Sequence, residues 1–169
     1  INHIGARRRI AVDPNPELKQ RAAQGVEAHC APAQLLGFLA EASVDVAFSS
    51  NFFEHLPDKG VLSEVVREAR RVLRPGGRLI VMGPNVKYLP GLYWDYYDHH
   101  IPLTELSVAE LLALEGFELE LALPRFMPYT VKSRLPAWQW LIRAYLKIGA
   151  PAFALFGKQF LVVATKRAG

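Results

Sequence analysis

The side chains able to do chemistry in this chain stand where its apolar runs break off. Arg9-Ile10-Ala11-Val12 ends in Asp13, followed by Pro14 and Asn15. A carboxylate at such a place can accept hydrogen bonds from both hydroxyls of a ribose, or it can cap the backbone locally. Gly25 to Ala31 is a weaker run that ends in Cys30 and Ala31. Val44-Asp45-Val46-Ala47-Phe48-Ser49 leads into Ser50, Asn51 and Phe52, then Phe53-Glu54-His55-Leu56. Open α/β sheets hold their ligands in the turns beyond the carboxyl ends of strands, so these three turns are the candidate binding positions. Histidine is the side chain suited to take a proton near neutral pH, and His55, His99 and His100 are the candidate bases. His99 and His100 lie in Tyr93–Thr104, beside Tyr93, Trp94, Asp95, Tyr96, Tyr97 and Asp98. That segment suits a sugar- or ring-binding surface, or a loop that packs by its rings. Asp95, Asp98, His99 and His100 are also metal-ligand types, but no spacing fixes a geometry and no metal is assigned.

The elements that must position these residues alternate. Arg9–Val12 and Val44–Ser49 read as buried strands, with Glu17–Gln24 and the proline-opened Pro32–Ala42 as helices between them. From Val61 to Leu73, apolar Val61, Leu62, Val65, Val66, Ala69, Val72 and Leu73 recur at helical spacing, with Arg67, Arg70 and Arg71 on the other face. Pro75-Gly76-Gly77 stops that helix and turns the chain into a strand over Arg78–Met82. A helix follows with Ser107 as N-cap and Glu110 in the capping-box position; Gly116 ends it before a strand over Phe117–Leu123. The last strand is expected at Phe160–Thr165. Strands alternating with helices of this length indicate parallel βαβ units with right-handed crossovers.

The chain has 169 residues, 51% of them apolar and 21% charged, enough for one domain with a real core and unlike a disordered chain. One cysteine excludes an internal disulfide and fits a reducing, cytoplasmic setting. The first residues lack the pattern of a secretory signal and an initiator Met, so a longer chain is expected. Charge is uneven: residues 1–120 hold 12 Lys/Arg and 16 Asp/Glu, whereas residues 121–169 hold 8 Lys/Arg and no acid. The basic end either meets an anionic partner or is solvated surface.

Asp45–Leu56, a helix, and then Leu73-Arg74-Pro75-Gly76-Gly77-Arg78-Leu79 together resemble the class I S-adenosylmethionine-dependent methyltransferases, in their small-molecule or glycan branch. The resemblance covers residues 9 to 123 and the final strand. It implies an α/β, doubly wound, mostly parallel sheet with helices on both faces and an antiparallel last strand, the Rossmann-like methyltransferase fold. S-adenosylmethionine is the implied cofactor. Asp13 matches the family's ribose-gripping acid, with Pro14 and Asn15 lining the adenosine. Cys30 and Ala31 match the turn beside the adenine, where the family commonly has Asp; here the Ala31 N–H is the group left to serve. Ser50, Asn51 and Phe52 match the turn beneath the methionine part, with His55 one helical turn further on. The family's Gly-rich loop has no counterpart in this sequence. It would precede residue 1, and Ile1–Ala6 would be the tail of its first helix.

The expected organisation is one domain over residues 1–169, with 86–106 as a substrate-side loop and 125–159 as a basic aromatic insertion. Pro136–Ile148 reads as a helix with a polar stripe of Gln139, Arg143 and Lys147, and with Trp138, Trp140 and Tyr145 as amphipathic rings. Arg143, Lys147 and Pro151 interrupt it as a membrane span. It suits a lid packed on the sheet or a second subunit, or a peripheral contact through residues 132–150 in which Lys132, Arg134, Arg143 and Lys147 face phosphates. Phe126–Thr130, Lys132–Pro136 and Phe156–Gln159 resemble bacterial methyltransferases linked to polysaccharide assembly. The reaction this implies is methyl transfer to an oxygen of a small molecule or saccharide, free or lipid-linked. A nicotinamide-dependent oxidoreductase would also use Asp13, but has no place for Glu54-His55 or Leu73–Gly77. The other alternative is a non-catalytic scaffold docking through the basic end. No nucleic-acid motif accompanies the basic residues, so no nucleic-acid partner is expected.

Overall fold

The computed structural model describes residues 1–129 and 139–168. In chain order the elements are β1 (Arg9–Val12), α1 (Leu18–Arg21), β2 (Val26–His29), β3 (Val44–Ser50), a 3₁₀ turn (Phe53–His55), α2 (Lys59–Val72) and β4 (Leu73–Pro84). A second 3₁₀ turn (Val86–Tyr88), α3 (Glu105–Leu114), β5 (Phe117–Leu123), α4 (Gln139–Ile148), α5 (Ala150–Phe156) and β6 (Gln159–Lys166) follow.

β3 and β4 are parallel, and β6 runs antiparallel between β4 and β5, giving the order β3-β4-β6-β5. β1 and β2 form a separate parallel ladder, where one continuous sheet was expected. Alternation along the strands puts Leu79, Val81, Phe160, Val162 and Ala164 on one face, packed with Leu62, Val65 and Val66 of α2 and Val108 and Leu112 of α3. The opposite face is less covered. A row of Phe48, Ile80, Val163 and Leu121 crosses it in register, and Phe48 is 57% exposed.

The turn from α2 into the sheet depends on its two glycines. Gly76 sits at φ +73°, and a Cβ on Gly77 would come within 2.8 Å of the Arg74 carbonyl and 3.1 Å of the Asp45 carbonyl. The extra residues are absorbed between the pairs Val44–Leu73 and Val46–Arg78. Asp58 caps α2 by accepting from the Val61 N–H at 2.9 Å, which starts the helix two residues earlier than the apolar period alone indicates.

Several local expectations yield to tertiary contacts. Pro32–Ala42 is not helical. The Glu68 carboxylate accepts from the Leu36 N–H at 3.1 Å, and Arg71 donates to the Leu36 and Leu39 carbonyls at 3.0 and 3.1 Å. These bonds satisfy the segment's backbone without a helical ladder, and they draw Arg71 out of the solvent face assigned to it. α1 is shorter than Glu17–Gln24 because Asn2 ends it, donating to the Arg21 carbonyl and accepting from the Ala23 N–H, each at 3.0 Å. Ile1–Ala6 accordingly forms no helix. α3 is capped by Thr104, not Ser107. Ser107 is the inner partner of a reciprocal capping box, with Thr104 Oγ1 accepting from its N–H at 3.2 Å.

Candidate functional site

The carboxyl ends of β1 and β2 meet in one corner. The Asp13 N–H still bonds the His29 carbonyl at 3.2 Å, while Asp13 Oδ1 accepts from the Asn15 N–H at 2.8 Å. Asn15 Oδ1 in turn accepts from the Glu17 N–H at 2.9 Å, opening α1, and Pro14 lies exposed between them. Cys30 is exposed, with its Sγ 3.8 Å from the Asn15 carbonyl oxygen. The Ala31 N–H donates to the His29 carbonyl at 3.1 Å, so it closes the turn and is not left for a ligand. His29 stacks on Phe38 at 4.0 Å between ring centroids. Asp13, Pro14, Asn15, Cys30 and Ala31 thus lie at the ends of two paired strands.

At the end of β3, Asn51 takes a left-handed backbone, φ +48°, rare for a residue with a side chain and concentrated at functional turns. It is fixed from both sides: its N–H bonds the Met82 carbonyl at 2.9 Å and its Oδ1 accepts from Gln159 Nε2 at 3.0 Å. Ser50 pairs with Met82 across the ladder, and Phe52 leans on Phe53. Ser49 Oγ, one residue upstream of Ser50, is buried with no hydrogen-bond partner among the described residues.

One turn beyond Asn51 the chain builds a titratable cluster. Glu54 is 1% exposed, and its carbonyl accepts from the His100 and Ile101 N–H groups at 2.8 and 3.3 Å, which lashes the 86–104 loop onto the 3₁₀ turn. His55 Nδ1 lies 3.1 Å from Asp98 Oδ2, and His55 Nε2 lies 3.8 Å from Glu54 Oε1. His99 is buried edge-on against His55 and Tyr93, at 4.9 and 4.8 Å between centroids, and leans on Tyr96. Tyr93 is fully buried; its hydroxyl donates to the Ile101 carbonyl and accepts from the Leu103 N–H at 3.3 Å. Burial pushes the Glu54 carboxyl above its ordinary range, aided by the Asp98 charge and opposed by backbone N–H groups and His55. Burial also lowers the His99 imidazole, helped by His55 and His100 and opposed by a Tyr93 backbone hydrogen bond and the Asp98 charge.

The loop is anchored behind the cluster by Asn85, which is fully buried. Its Nδ2 donates to Glu105 Oε2 at 2.6 Å and to the Pro124 carbonyl at 2.9 Å, and its Oδ1 accepts from the Lys87 N–H at 3.1 Å. Lys87 Nζ completes the node 3.0 Å from Glu105 Oε1.

Three known proteins and one family profile resemble this chain, two of the proteins in their fold. A profile described as a methyltransferase domain matches residues 2–81. A Mycolicibacterium smegmatis protein described as "Probable S-adenosylmethionine-dependent methyltransferase" is 39% identical over 84 residues. The first half of the chain is thus similar to methyltransferase domains, among them a probable S-adenosylmethionine-dependent one. The match covers 48% of this chain, which spans about a third (32%) of that relative's length. A Methanosarcina mazei structure titled as a SAM-dependent methyltransferase superposes with a TM-score of 0.67 at 18% identity, covering 95% of this chain and 82% of that one. The N-methyltransferase NodS from Bradyrhizobium japonicum, in complex with S-adenosyl-l-homocysteine, superposes with a TM-score of 0.62 at 12% identity over 95% and 67%. At those identities both share the fold.

Of the predicted bases, the methyltransferase fold unites His55 and His99 across 44 residues of sequence, while the His100 side chain is exposed. Asp95 is exposed as well, so Asp95, Asp98, His99 and His100 do not converge as a set. Glu54 was missed as a site residue. Its one sequence signal is adjacency to His55 at the start of a short helical turn, where a carboxylate is otherwise expected to face water.

Proposed function

We propose that this chain is part of a class I S-adenosylmethionine-dependent methyltransferase and transfers a methyl group from S-adenosylmethionine to a hydroxyl oxygen of a small molecule or saccharide. The reading is carried by one juxtaposition: the strained Asn51 turn at the β3 end stands beside the His55–His99–Glu54 cluster under an aromatic loop. The sulfonium, when bound, supplies a methyl already activated for displacement. The residues present suit that cofactor. Asp13 sits at a strand end for the ribose, and the unpartnered Ser49 Oγ and the fixed Asn51 turn lie where the methionine part belongs. Asp13 Oδ1 already holds the Asn15 N–H, so the ribose hydroxyls fall to its other oxygen.

The chain's own work is alignment, exclusion of water and proton removal. Tyr96 and Trp94 offer ring faces to an acceptor, and Tyr129 meets Tyr96 edge-on at 6.4 Å. His55, a third exposed and braced by Asp98 at Nδ1, presents Nε2 to take the hydroxyl proton. The half-exposed Phe48 row and the open β3 edge support a further strand and helix beside them, making residues 1–169 part of one larger domain.

A lipid-linked acceptor at the cytoplasmic membrane surface is supported by α4 and α5. Trp140, Leu141, Ile142, Leu146, Ile148, Leu155 and Phe156 are exposed there, interleaved with Arg143 and Lys147. Lys132, Arg134 and Trp138, also assigned to this contact, lie outside the described residues. No helix among the described residues is long and apolar enough to cross a membrane.

Calorimetric titration of the full-length protein with S-adenosylhomocysteine tests the cofactor, with sharply weaker binding expected in Asp13→Ala. No binding by the intact protein would overturn the reading. A reduced nicotinamide, titrated by fluorescence, is expected to give no saturable signal.

A further inference from the structure

We propose that Glu54, His55 and His99 form a site for one divalent cation of the zinc type, with a fourth position open to the acceptor oxygen. One candidate ligand atom from each residue lies within 4.8 Å of the other two. Glu54 is 1% and His99 6% exposed, and Glu54 Oε2 and His99 Nδ1 have no hydrogen-bond partner among the described residues. Buried polar atoms are almost always paired, so two orphans in one cluster call for a common missing partner.

The His55 contacts specify that partner's sign. The Asp98 carboxylate and carbonyl, each 3.1 Å from Nδ1, assign the ring proton to Nδ1. Nε2 then carries a lone pair and faces the Glu54 carboxyl at 3.8 Å, too far for a hydrogen bond between them. A cation satisfies both atoms together with His99 Nδ1. A carboxylate holding the far nitrogen of a ligating histidine is the usual outer support of a metal site, and Asp98 occupies that position.

The donor set selects the metal. Two imidazoles and one carboxylate suit zinc, and also cobalt, better than magnesium or calcium, which take oxygen ligands. Three protein ligands with one open position describe a catalytic rather than a structural site. Zinc bonds of about 2.0–2.1 Å place tetrahedral ligand atoms roughly 3.4 Å apart, so the cluster must tighten by about an ångström on binding. His55, on the solvent side, leaves the way in. A hydroxyl bound at the open position loses its proton to water at lower pH than a free alcohol, the task that falls to His55 in the metal-free protein. That role rests on the methyl-transfer reading; the binding of the cation does not.

The test is titration of the metal-stripped full-length protein with Co²⁺, followed by its visible absorption, and with Zn²⁺ by calorimetric competition. One equivalent is expected to bind. Asp98→Asn is expected to weaken binding by about 10–100-fold, and His55→Gln by more, while His100→Ala leaves it unchanged. Asp98 is exposed and His55 partly so, which lets these variants keep the fold, checked by circular dichroism. No saturable binding by the wild type, or binding undiminished in both His55→Gln and Asp98→Asn, overturns the site. Methyl transfer measured in parallel separates the two readings. Metal uptake without transfer to any acceptor retains the cation and refutes the transferase. Chelator-resistant transfer by protein that binds no metal does the reverse.

Discussion

Replacing Asn85 with Ala should destabilise the protein far more than its size suggests, and the pH profile should show why. The amide is fully buried and serves three partners: the Glu105 carboxylate, the Pro124 carbonyl and the Lys87 N–H. A hydrogen bond to a charged group contributes about 1.5–3 kcal/mol and a neutral one about 1, and the orphaned partners stay buried, so the expected loss is about 3–5 kcal/mol. For a chain of this size each kcal/mol moves Tm by about 2–4 °C, giving a fall of roughly 6–20 °C in thermal unfolding followed by circular dichroism. Burial pushes the Glu105 carboxyl up, but hydrogen bonds from Lys87 and Asn85 outweigh it and hold the group below its ordinary range. A lowered folded-state pKa gives stability that is present above the unfolded value, about 4.3, and is lost as pH falls through the folded one. Wild-type stability should therefore decline below about pH 4.3, and the Asn85→Ala variant should show a weaker decline because one lowering contact is gone. A loss under 1 kcal/mol, or an unchanged acid limb, would refute the claim that this node holds the loop.

Four further outcomes follow from named contacts. Gly83→Ala places a Cβ 3.0 Å from Phe160 Cζ and 3.6 Å from Glu54 Oε2, and Phe160 is fully buried, so a cost of about 1–3 kcal/mol in urea unfolding is expected. Gly77→Ala should be worse than Gly76→Ala: the first meets two backbone carbonyls that cannot move aside, whereas the second meets only Arg74 Nη1 at an ordinary 3.9 Å and suffers its left-handed φ, about 1–2 kcal/mol. Tyr93→Phe should cost about 1–3 kcal/mol by stranding the Leu103 N–H and the Ile101 carbonyl, and hydrogen exchange should quicken across 93–104 and not in α2. In co-sedimentation with vesicles containing anionic lipid, Arg143→Glu with Lys147→Glu should lower the bound fraction, and wild-type binding should fall with salt; equal binding to neutral vesicles would remove the electrostatic part of the membrane reading.

What was legible in the sequence follows from the range of each interaction. α2 was readable because its stabilising face lies within itself at 3.6-residue spacing, and β3 and the Arg78–Met82 part of β4 because they are short apolar runs bounded by turn residues. Pro32–Ala42 was misread because its backbone partners, Glu68 and Arg71, lie more than 30 residues away. The same distance hid the site. Asp13, Asn51 and His55 were visible as residues that end strands or begin turns. Glu54 was not, because nothing local distinguishes a carboxylate that will be buried from one facing water.

Its burial is imposed by the loop. The N–H groups of His100 and Ile101 bond the Glu54 carbonyl, and Tyr93, Ile101 and Leu103 close over the 3₁₀ turn. Those apolar contacts are strong enough to hold a carboxyl group and an imidazole out of water with one atom of each unpartnered among the described residues. If Glu54 were only a core residue, Met would fill its volume with no polar atom to desolvate, and the fold would gain by the exchange. Retaining the charge-bearing side chain at a cost to stability is intelligible where the group does work. Glu54→Met therefore separates the two accounts: stability kept or raised together with loss of Co²⁺ binding marks a functional carboxylate, whereas destabilisation with metal binding intact marks a structural one.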